Sequence, residues 1–256
     1  MLDIKQLKDY CTCPLFYRFK HIENIDASPG ADELLRLCIR KVGDFILYAA
    51  QDRFPTRADV RYAYNTVLKS VVGKKRLRSF SPKSIARGLE QSLAIHEFLK
   101  QTTLYPLVVG QKYSIQVEGV KISGRVDAIC RNATGELELL MFSDENPANP
   151  DLPLSSDIEV IAAWTACRSV VSRPVTRATV FYLSTGTSSE AAIQSRDYKA
   201  MEHIVRSIAR AISESIFYPS IGGCQRGCPY RALCTSGHWL LEYVPKLPSE
   251  KGDERS

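Results

Sequence analysis

The stretch Gly124-Arg125-Val126-Asp127-Ala128-Ile129 places one carboxylate among apolar residues, inside a β-rich run over residues 120–130. Two further β-rich runs lie beside it in the sequence, at residues 107–117 and 136–142. Segments with the composition of tight turns separate the three runs. The pattern therefore predicts a meander of three strands, with Asp127 on the central one.

Helical patterns surround this meander. From residue 31 to about residue 100, apolar residues recur at steps of three and four, and Pro55 and Pro82 divide this part into three helices. After the meander the sequence predicts a helix at 158–171, a strand at 178–184 and a helix at 198–217. A meander joined to a later strand through a crossover helix forms a mixed sheet, so we expect an α/β fold.

Composition indicates a globular protein. The chain has 256 residues, of which 45% are hydrophobic and 24% charged, enough for one large or two small domains. Its apolar runs are shorter than the roughly 20 residues that cross a bilayer, and the first eight residues do not resemble a secretory signal. We therefore expect a cytoplasmic protein without membrane association. The net charge of +6 is compatible with a polyanionic partner such as DNA.

Cysteines indicate a metal centre. Cys224, Cys228 and Cys234 lie within eleven residues, and Cys11 and Cys13 form the other local pair. Clustered thiols in a cytosolic chain are typical of metal sites because disulfides are rare there. A fourth ligand from the N-terminal pair would join the two ends of the chain, and four thiolates suit either zinc or an iron–sulfur cluster. Three more cysteines lie in apolar patterns and are predicted to pack in the core: Cys38, Cys130 and Cys167.

These motifs resemble the PD-(D/E)XK nuclease superfamily, in particular its RecB/AddB-like and CRISPR-adaptation exonuclease type. Cys13-Pro14 before an aromatic stretch, together with the terminal three-cysteine loop, resembles the branch in which one N-terminal and three C-terminal cysteines hold a [4Fe–4S] cluster. The resemblance implies that Cys13, Cys224, Cys228 and Cys234 bind such a cluster, with zinc as the alternative metal.

The resemblance also implies the architecture. We expect a restriction-endonuclease-like mixed sheet core with an N-terminal helical region, and an iron–sulfur clasp that joins the termini. The expected single domain covers residues 1–245, followed by a disordered tail at 246–256. Within the domain we expect three parts: a helical insertion at 31–105, an α/β core at 106–217 and a cysteine loop at 218–240.

The nuclease motifs themselves are incomplete. The family carries a Gly-x-x-Asp on one strand and an Asp/Glu-x-Lys on the next, where the acids bind a divalent ion and the lysine acts on the attacking water. Gly124 to Asp127 fits the first motif, so Asp127 is the residual catalytic residue and candidate ligand for the divalent ion. Alignment of the second motif places Met141 at the acid position and Ser143 at the lysine position. A thioether is a poor magnesium ligand and serine carries no positive charge.

We therefore predict a degenerate, inactive nuclease-like protein that acts as a DNA-binding or scaffold subunit in DNA processing. Single-stranded DNA or strand ends are the expected partner, beside a protein of a DNA-processing complex. One alternative is an active exonuclease that uses Asp127, Mg²⁺ or Mn²⁺ and a relocated acid. Asp144 and Glu145 follow the strand, but alternate strand positions face opposite sides, so only one of them can point where Met141 points. The other alternative is a purely structural, protein-binding subunit.

Overall fold

A computed structural model of the chain describes residues 1–25, 30–77, 80–144, 154–220 and 228–236. The chain divides into two compact units. The first contains Met1–Lys8 and Ser28–Arg210, and the second contains Asp9–Ala27 and Ala211–Ser256.

The N-terminal segment forms a short strand and a helix, β1 (Leu2–Asp3) and α1 (Ile4–Thr12). Asp3 begins the helix, because its carboxylate accepts a hydrogen bond from Lys5 N at 2.8 Å. Gln6 Oε1 accepts one in return from Asp3 N at 2.8 Å. This reciprocal pair resembles a capping box, a signal for a helix start that the sequence analysis did not use.

Three helices follow in the first unit, as the sequence predicts: α3 (Ala31–Ala49), α4 (Arg57–Leu77) and α5 (Pro82–Gln101). Helix α2 (Pro14–Tyr17) belongs to the second unit. Pro82 occupies the first turn of α5, where a missing N–H costs nothing. Ser81 Oγ accepts a hydrogen bond from Ser84 N at 3.0 Å and caps the same end. Helix α4 is kinked at Gly73, whose φ of +73° suits a residue without a Cβ.

A mixed sheet forms the rest of the first unit. Its longer strands are β2 (Tyr105–Val117), β3 (Val120–Arg131), β4 (Leu137–Ser143), β5 (Val175–Tyr182) and β6 (Thr187–Ala192). The strand order is β1-β3-β4-β5-β6, with β2 paired to β3. Glu118 and Gly119, with φ of +49° and +77°, form the two-residue turn between β2 and β3. The β1–β3 and β4–β5 pairs are parallel and the other pairs are antiparallel.

Helix α6 (Ile158–Val170) is the crossover between β4 and the parallel strand β5. Asp157 caps it by accepting a hydrogen bond from Glu159 N at 2.8 Å. Most of α6 is buried, and it packs on β2, β3, β4 and β5. On β4, Leu140 and Phe142 belong to the core that α3, α4 and α5 share with the sheet. The first six residues of β4 are all buried, as expected for a strand with both faces covered.

The second unit contains α2 (Pro14–Tyr17), a π-helical turn (Arg18–Ile22) and α8 (Arg231–Ser236). Helix α7 (Ser195–Ser213) runs from the first unit into the second. Leu15, Phe19 and Tyr230 form the small core of the second unit. The Tyr230 hydroxyl donates a hydrogen bond to Ile25 O at 3.0 Å, so this core brings together chain segments from the two ends of the sequence.

The fold class is confirmed as a mixed α/β fold. The predicted bounds of two elements are wrong. The strand expected at 178–184 begins earlier, because Val175 already pairs with Leu137, and it ends at Tyr182, before a turn at Gly186. The helix expected at 198–217 is Ser195–Ser213, because Ser215, with φ of +57°, ends the helical path.

The sequence does not predict strand β6, since Thr187 is the one β-branched residue in it and it has no aromatic residue. The expected single domain over 1–245 and its three parts stay a prediction, and the tail at 246–256 lies outside the described residues. In the described ranges, no helix is long and apolar enough to cross a membrane.

Candidate functional site

Asp127 lies where β3 and β4 stop pairing. The ladder runs from Arg131 opposite Leu137 to Ala128 opposite Leu140, and one more step in this register brings Met141 opposite Asp127. The Asp127 side chain is buried, with 3% of the residue exposed. Its Oδ2 accepts a hydrogen bond from Phe142 N at 2.8 Å, so the carboxylate joins the two strands at this point.

Two arginines face the other oxygen of this carboxylate. Arg125 Nη1 lies 3.5 Å from Asp127 Oδ1, and Arg40 Nη1 lies 4.0 Å from the same atom. Arg125 comes from β3 itself, whereas Arg40 comes from α3. The residue predicted as a metal ligand is therefore flanked by cations of the chain.

Two further carboxylates complete the group. Asp44 lies one helical turn after Arg40 on α3, and its Oδ1 accepts a hydrogen bond from Arg125 Nη2. Asp144 follows β4 directly, and its Oδ2 accepts a hydrogen bond from Arg40 Nε at 3.2 Å. Arg40 Nη2 also donates to Phe142 O at 2.7 Å. We call these five residues, Arg40, Asp44, Arg125, Asp127 and Asp144, the arginine–carboxylate cluster.

The charges in this cluster affect one another. Burial raises the pKa of Asp127, and Arg40, the hydrogen bond from Phe142 N and Arg125 oppose that rise without cancelling it. Burial lowers the pKa of Arg40, but Asp127, Asp144 and Glu159 together more than offset this, so the pKa of Arg40 is raised. Arg40 therefore remains a cation under all ordinary conditions.

The residues at this place do not fit a divalent ion. Met141 is 4% exposed and offers a thioether, and Ser143 is the last residue of β4 and offers a hydroxyl. The oxygens of Asp127, Phe142 and Asp144 that could bind a cation face Arg40 instead. Across the residues with described positions, no three His, Cys, Asp or Glu side chains form a group that could hold a metal ion.

A cleft of about 160 Å³ borders the cluster at Asp144. It is lined by residues of α3, of α5 and of the segments after β4 and β5, among them Asp32, Arg36, Arg87 and Ser184. Asp144 Oδ1 and Ser184 Oγ are buried and lack a hydrogen-bond partner among the described residues. The cleft thus combines exposed arginines with polar atoms that can accept a further hydrogen bond.

Three of the four predicted cluster cysteines lie in the second unit around one apolar core. Cys13, Cys228 and Cys234 pack against Leu15, Phe19 and Tyr230. Cys13 also caps α2, because its Sγ accepts a hydrogen bond from Phe16 N at 3.5 Å. The fourth, Cys224, lies outside the described residues, so the complete ligand set stays a prediction.

The other cysteines predicted for the core are confirmed there. Each is at most 1% exposed: Cys38, Cys130 and Cys167. Burial raises the pKa of Cys38 to about 11, and it raises the pKa values of Cys130 and Cys167 to about 12. Their complete burial in the core makes these three thiols packing residues.

The sequence motif identifies Asp127 but does not identify its partners Arg40, Asp44 and Arg125 as site residues. Arg40 and Asp44 are four residues apart on a helix whose other face is apolar, a spacing that places both on one side. The Arg40–Asp44 pair is therefore the feature of the sequence that could have indicated these site residues. Asp144 was considered as a relocated acid, and the structure brings it to the same guanidinium as Asp127.

Comparison with known proteins assigns the chain to a family. The profile of the PD-(D/E)XK nuclease superfamily matches residues 4–235. No curated protein matches the sequence. Among solved structures, a protein from Eubacterium rectale named "Putative exonuclease" has a TM-score of 0.52 at 11% identity, with 90% of this chain and 87% of that chain covered. The crystal structure of SSO0001 has a TM-score of 0.39 at 16% identity, with 79% and 94% covered. The chain belongs to the PD-(D/E)XK nuclease superfamily.

Proposed function

We propose that this chain is a degenerate PD-(D/E)XK domain of the RecB/AddB-like and CRISPR-adaptation exonuclease type, inactive as a nuclease, which binds DNA or supports a DNA-processing complex. The observation that carries the proposal is the position of Arg40. Its guanidinium faces Asp127, the residual acid of the first motif, while Met141 and Ser143 take the acid and lysine positions of the second. Hydrolysis of DNA by this fold needs a divalent ion and an activated water, and these residues support neither.

Binding to nucleic acid does not require a divalent ion, nor the acid and the lysine of the second nuclease motif. The cleft beside Asp144 carries two exposed arginines, Arg36 on α3 and Arg87 on α5. Arginine forks bind phosphate through paired hydrogen bonds, and the net charge of +6 favours approach of a polyanion. We infer that a single strand or a strand end contacts the protein along this cleft.

The test is a fluorescence anisotropy titration of labelled single-stranded DNA over a series of salt concentrations, with EDTA present to exclude metal-dependent cleavage. Each lost phosphate contact reduces the slope of log K against log salt by about 0.7 for single strands. The double variant Arg36→Glu/Arg87→Glu should therefore bind more weakly and lose about 1.4 of that slope. The control reverses two exposed lysines that do not line the cleft, Lys69→Glu/Lys121→Glu, and it should bind more tightly than the cleft variant.

Absence of any salt-dependent binding by the wild-type chain would contradict DNA binding and favour the alternative of a purely protein-binding subunit. Equal losses in the cleft variant and in the lysine control would retain DNA as the partner but reject the cleft as its site.

We further propose that Cys13, Cys224, Cys228 and Cys234 bind a [4Fe–4S] cluster. The packing of three of these cysteines around one apolar core supports the proposal, since a cluster ligated by thiolates is typically shielded by apolar side chains. Such a centre would link the N-terminal and C-terminal segments of the second unit and so stabilise that unit. A structural zinc ion is the alternative with the same ligands, and analysis of the metal content of protein purified without oxygen distinguishes the two.

An active exonuclease remains the second candidate for the first unit. The observation in its favour is Asp144, an acid outside the usual motif position that shares Arg40 with Asp127. Activity by this route would require Arg40 to leave both carboxylates, so that a divalent ion could bind them.

A further inference from the structure

Three oxygen atoms, one from β3 and two from the end of β4, converge on one side chain, Arg40. Phe142 O accepts a hydrogen bond from Nη2 at 2.7 Å, and Asp144 Oδ2 accepts one from Nε at 3.2 Å. Asp127 Oδ1 lies 4.0 Å from Nη1. Each nitrogen of the guanidinium therefore faces a different oxygen.

This set of oxygens has the chemistry of a site for a hard cation. Two carboxylates and a main-chain carbonyl are ligands that Mg²⁺, Mn²⁺ and Ca²⁺ accept in proteins. Here a guanidinium occupies the space between them, with 21% of its side chain exposed. Its charge is fixed, since arginine does not lose its proton in proteins.

The contacts of Arg125, the other arginine of the arginine–carboxylate cluster, can be compared with those of Arg40. Arg125 is the other cation near Asp127, at 3.5 Å from Oδ1, and it also pairs with Asp44. In the contacts given by the described residues, Arg125 meets neither Phe142 O nor Asp144. Of these two arginines, Arg40 is the one whose contacts with described residues join Asp127 on β3 to the end of β4, as a bound ion would.

We propose that the guanidinium of Arg40 permanently replaces the divalent cation of this fold, and that removing this side chain opens the site to Mn²⁺ or Mg²⁺. The inference rests on the proposed function, because an active nuclease would hold the ion itself. Space and ligand capacity support it. Asp144 Oδ1 is buried, has no hydrogen-bond partner among the described residues and borders the cleft of about 160 Å³, so a cation and its water molecules would find room.

The experiment compares thermal unfolding of the wild type, Arg40→Ala and Arg125→Ala, each with EDTA or with millimolar Mn²⁺. Among the described residues, loss of Arg40 leaves Asp144 without its ion-pair partner and leaves Asp127 with Arg125 alone. We expect the melting temperature in EDTA to fall by on the order of 10 °C. Saturating Mn²⁺ should restore about 5–10 °C of this loss. The wild type and Arg125→Ala should not respond, and Arg40→Ala/Asp127→Asn should lose the response.

Two results would overturn the inference. One is a folded Arg40→Ala variant whose melting temperature is the same with Mn²⁺ as with EDTA. The other is Mn²⁺ binding by the wild type, detected as loss of the free-ion EPR signal, that Asp127→Asn abolishes. This second measurement decides the question even if Arg40→Ala does not fold. Neither measurement contains DNA, so failure here is distinct from failure of the proposed DNA binding.

Discussion

Replacement of Gly124 by alanine would place a methyl group against the ring of Tyr113, the residue directly opposite in the β2–β3 ladder. The added Cβ would lie 2.4 Å from Tyr113 Oη, 2.5 Å from Cζ and 3.0 Å from Cε1. Tyr113 is 7% exposed, so its ring has little room to move. The glycine of the Gly-x-x-Asp motif is thus required in this chain by the aromatic ring packed over it.

Two opposing contributions determine how much Gly124→Ala changes the free energy of unfolding. Overpacking at so short a contact costs about 2–3 kcal/mol. Alanine offsets about 0.5–1 kcal/mol of this, because it loses less backbone freedom on folding than glycine does. We therefore expect Gly124→Ala to lower the free energy of unfolding by about 1–2.5 kcal/mol.

Urea unfolding followed by far-ultraviolet circular dichroism measures this loss as a lower midpoint at an unchanged m-value. The control is the same substitution in a Tyr113→Leu background, where the three contacted atoms are absent. There Gly124→Ala should be neutral or slightly stabilising. An equal loss in both backgrounds would show that the ring is not the cause and would refute the reasoning.

Three further perturbations probe other parts of the molecule. Thr179→Val removes the hydroxyl that donates to the buried Glu138 carboxylate and should lower the free energy of unfolding by about 1–3 kcal/mol; an unchanged urea midpoint would contradict this. Burial raises the pKa of Asp127, so its contribution to stability is full below the unfolded pKa of about 4 and is lost as pH rises through the folded pKa. The free energy of unfolding of the wild type, relative to that of Asp127→Asn, should therefore fall as the pH rises from about 4 through the folded pKa. A difference in free energy that does not depend on pH would show that the pKa of Asp127 is not raised. Cys13→Ser should abolish bound iron and the broad visible absorption while Cys38→Ser keeps both, and identical spectra would remove Cys13 from the ligand set.

Much of the fold could be predicted from local patterns. The meander, the three front helices and the crossover helix follow from hydrophobic periodicity and from the positions of Pro55 and Pro82. Strand β6 could not be predicted this way. Its segment Thr187–Ala192 is polar and small, and it is a strand because β5 offers it a free edge with matching hydrogen bonds. Pairing with β5, and not the local sequence preference, therefore makes this segment a strand.

The candidate site could be predicted only in part. Asp127 stands in a segment that resembles the family's Gly-x-x-Asp motif, and alignment with the family's second motif places Met141 and Ser143. Arg40 is about ninety residues away in sequence, and its role depends on how α3 packs on the sheet, which no local pattern encodes. The sequence shows that Arg40 is a charged residue on the amphipathic helix α3, but it does not show that Asp127 is its partner.

We infer that this PD-(D/E)XK domain does not cleave DNA. The most direct measurement is incubation of the purified chain with labelled single-stranded DNA and Mn²⁺, beside Asp127→Ala as the matched control. We predict that the wild type releases no more product than the variant. Cleavage by the wild type that Asp127→Ala abolishes would contradict the account and establish an active exonuclease.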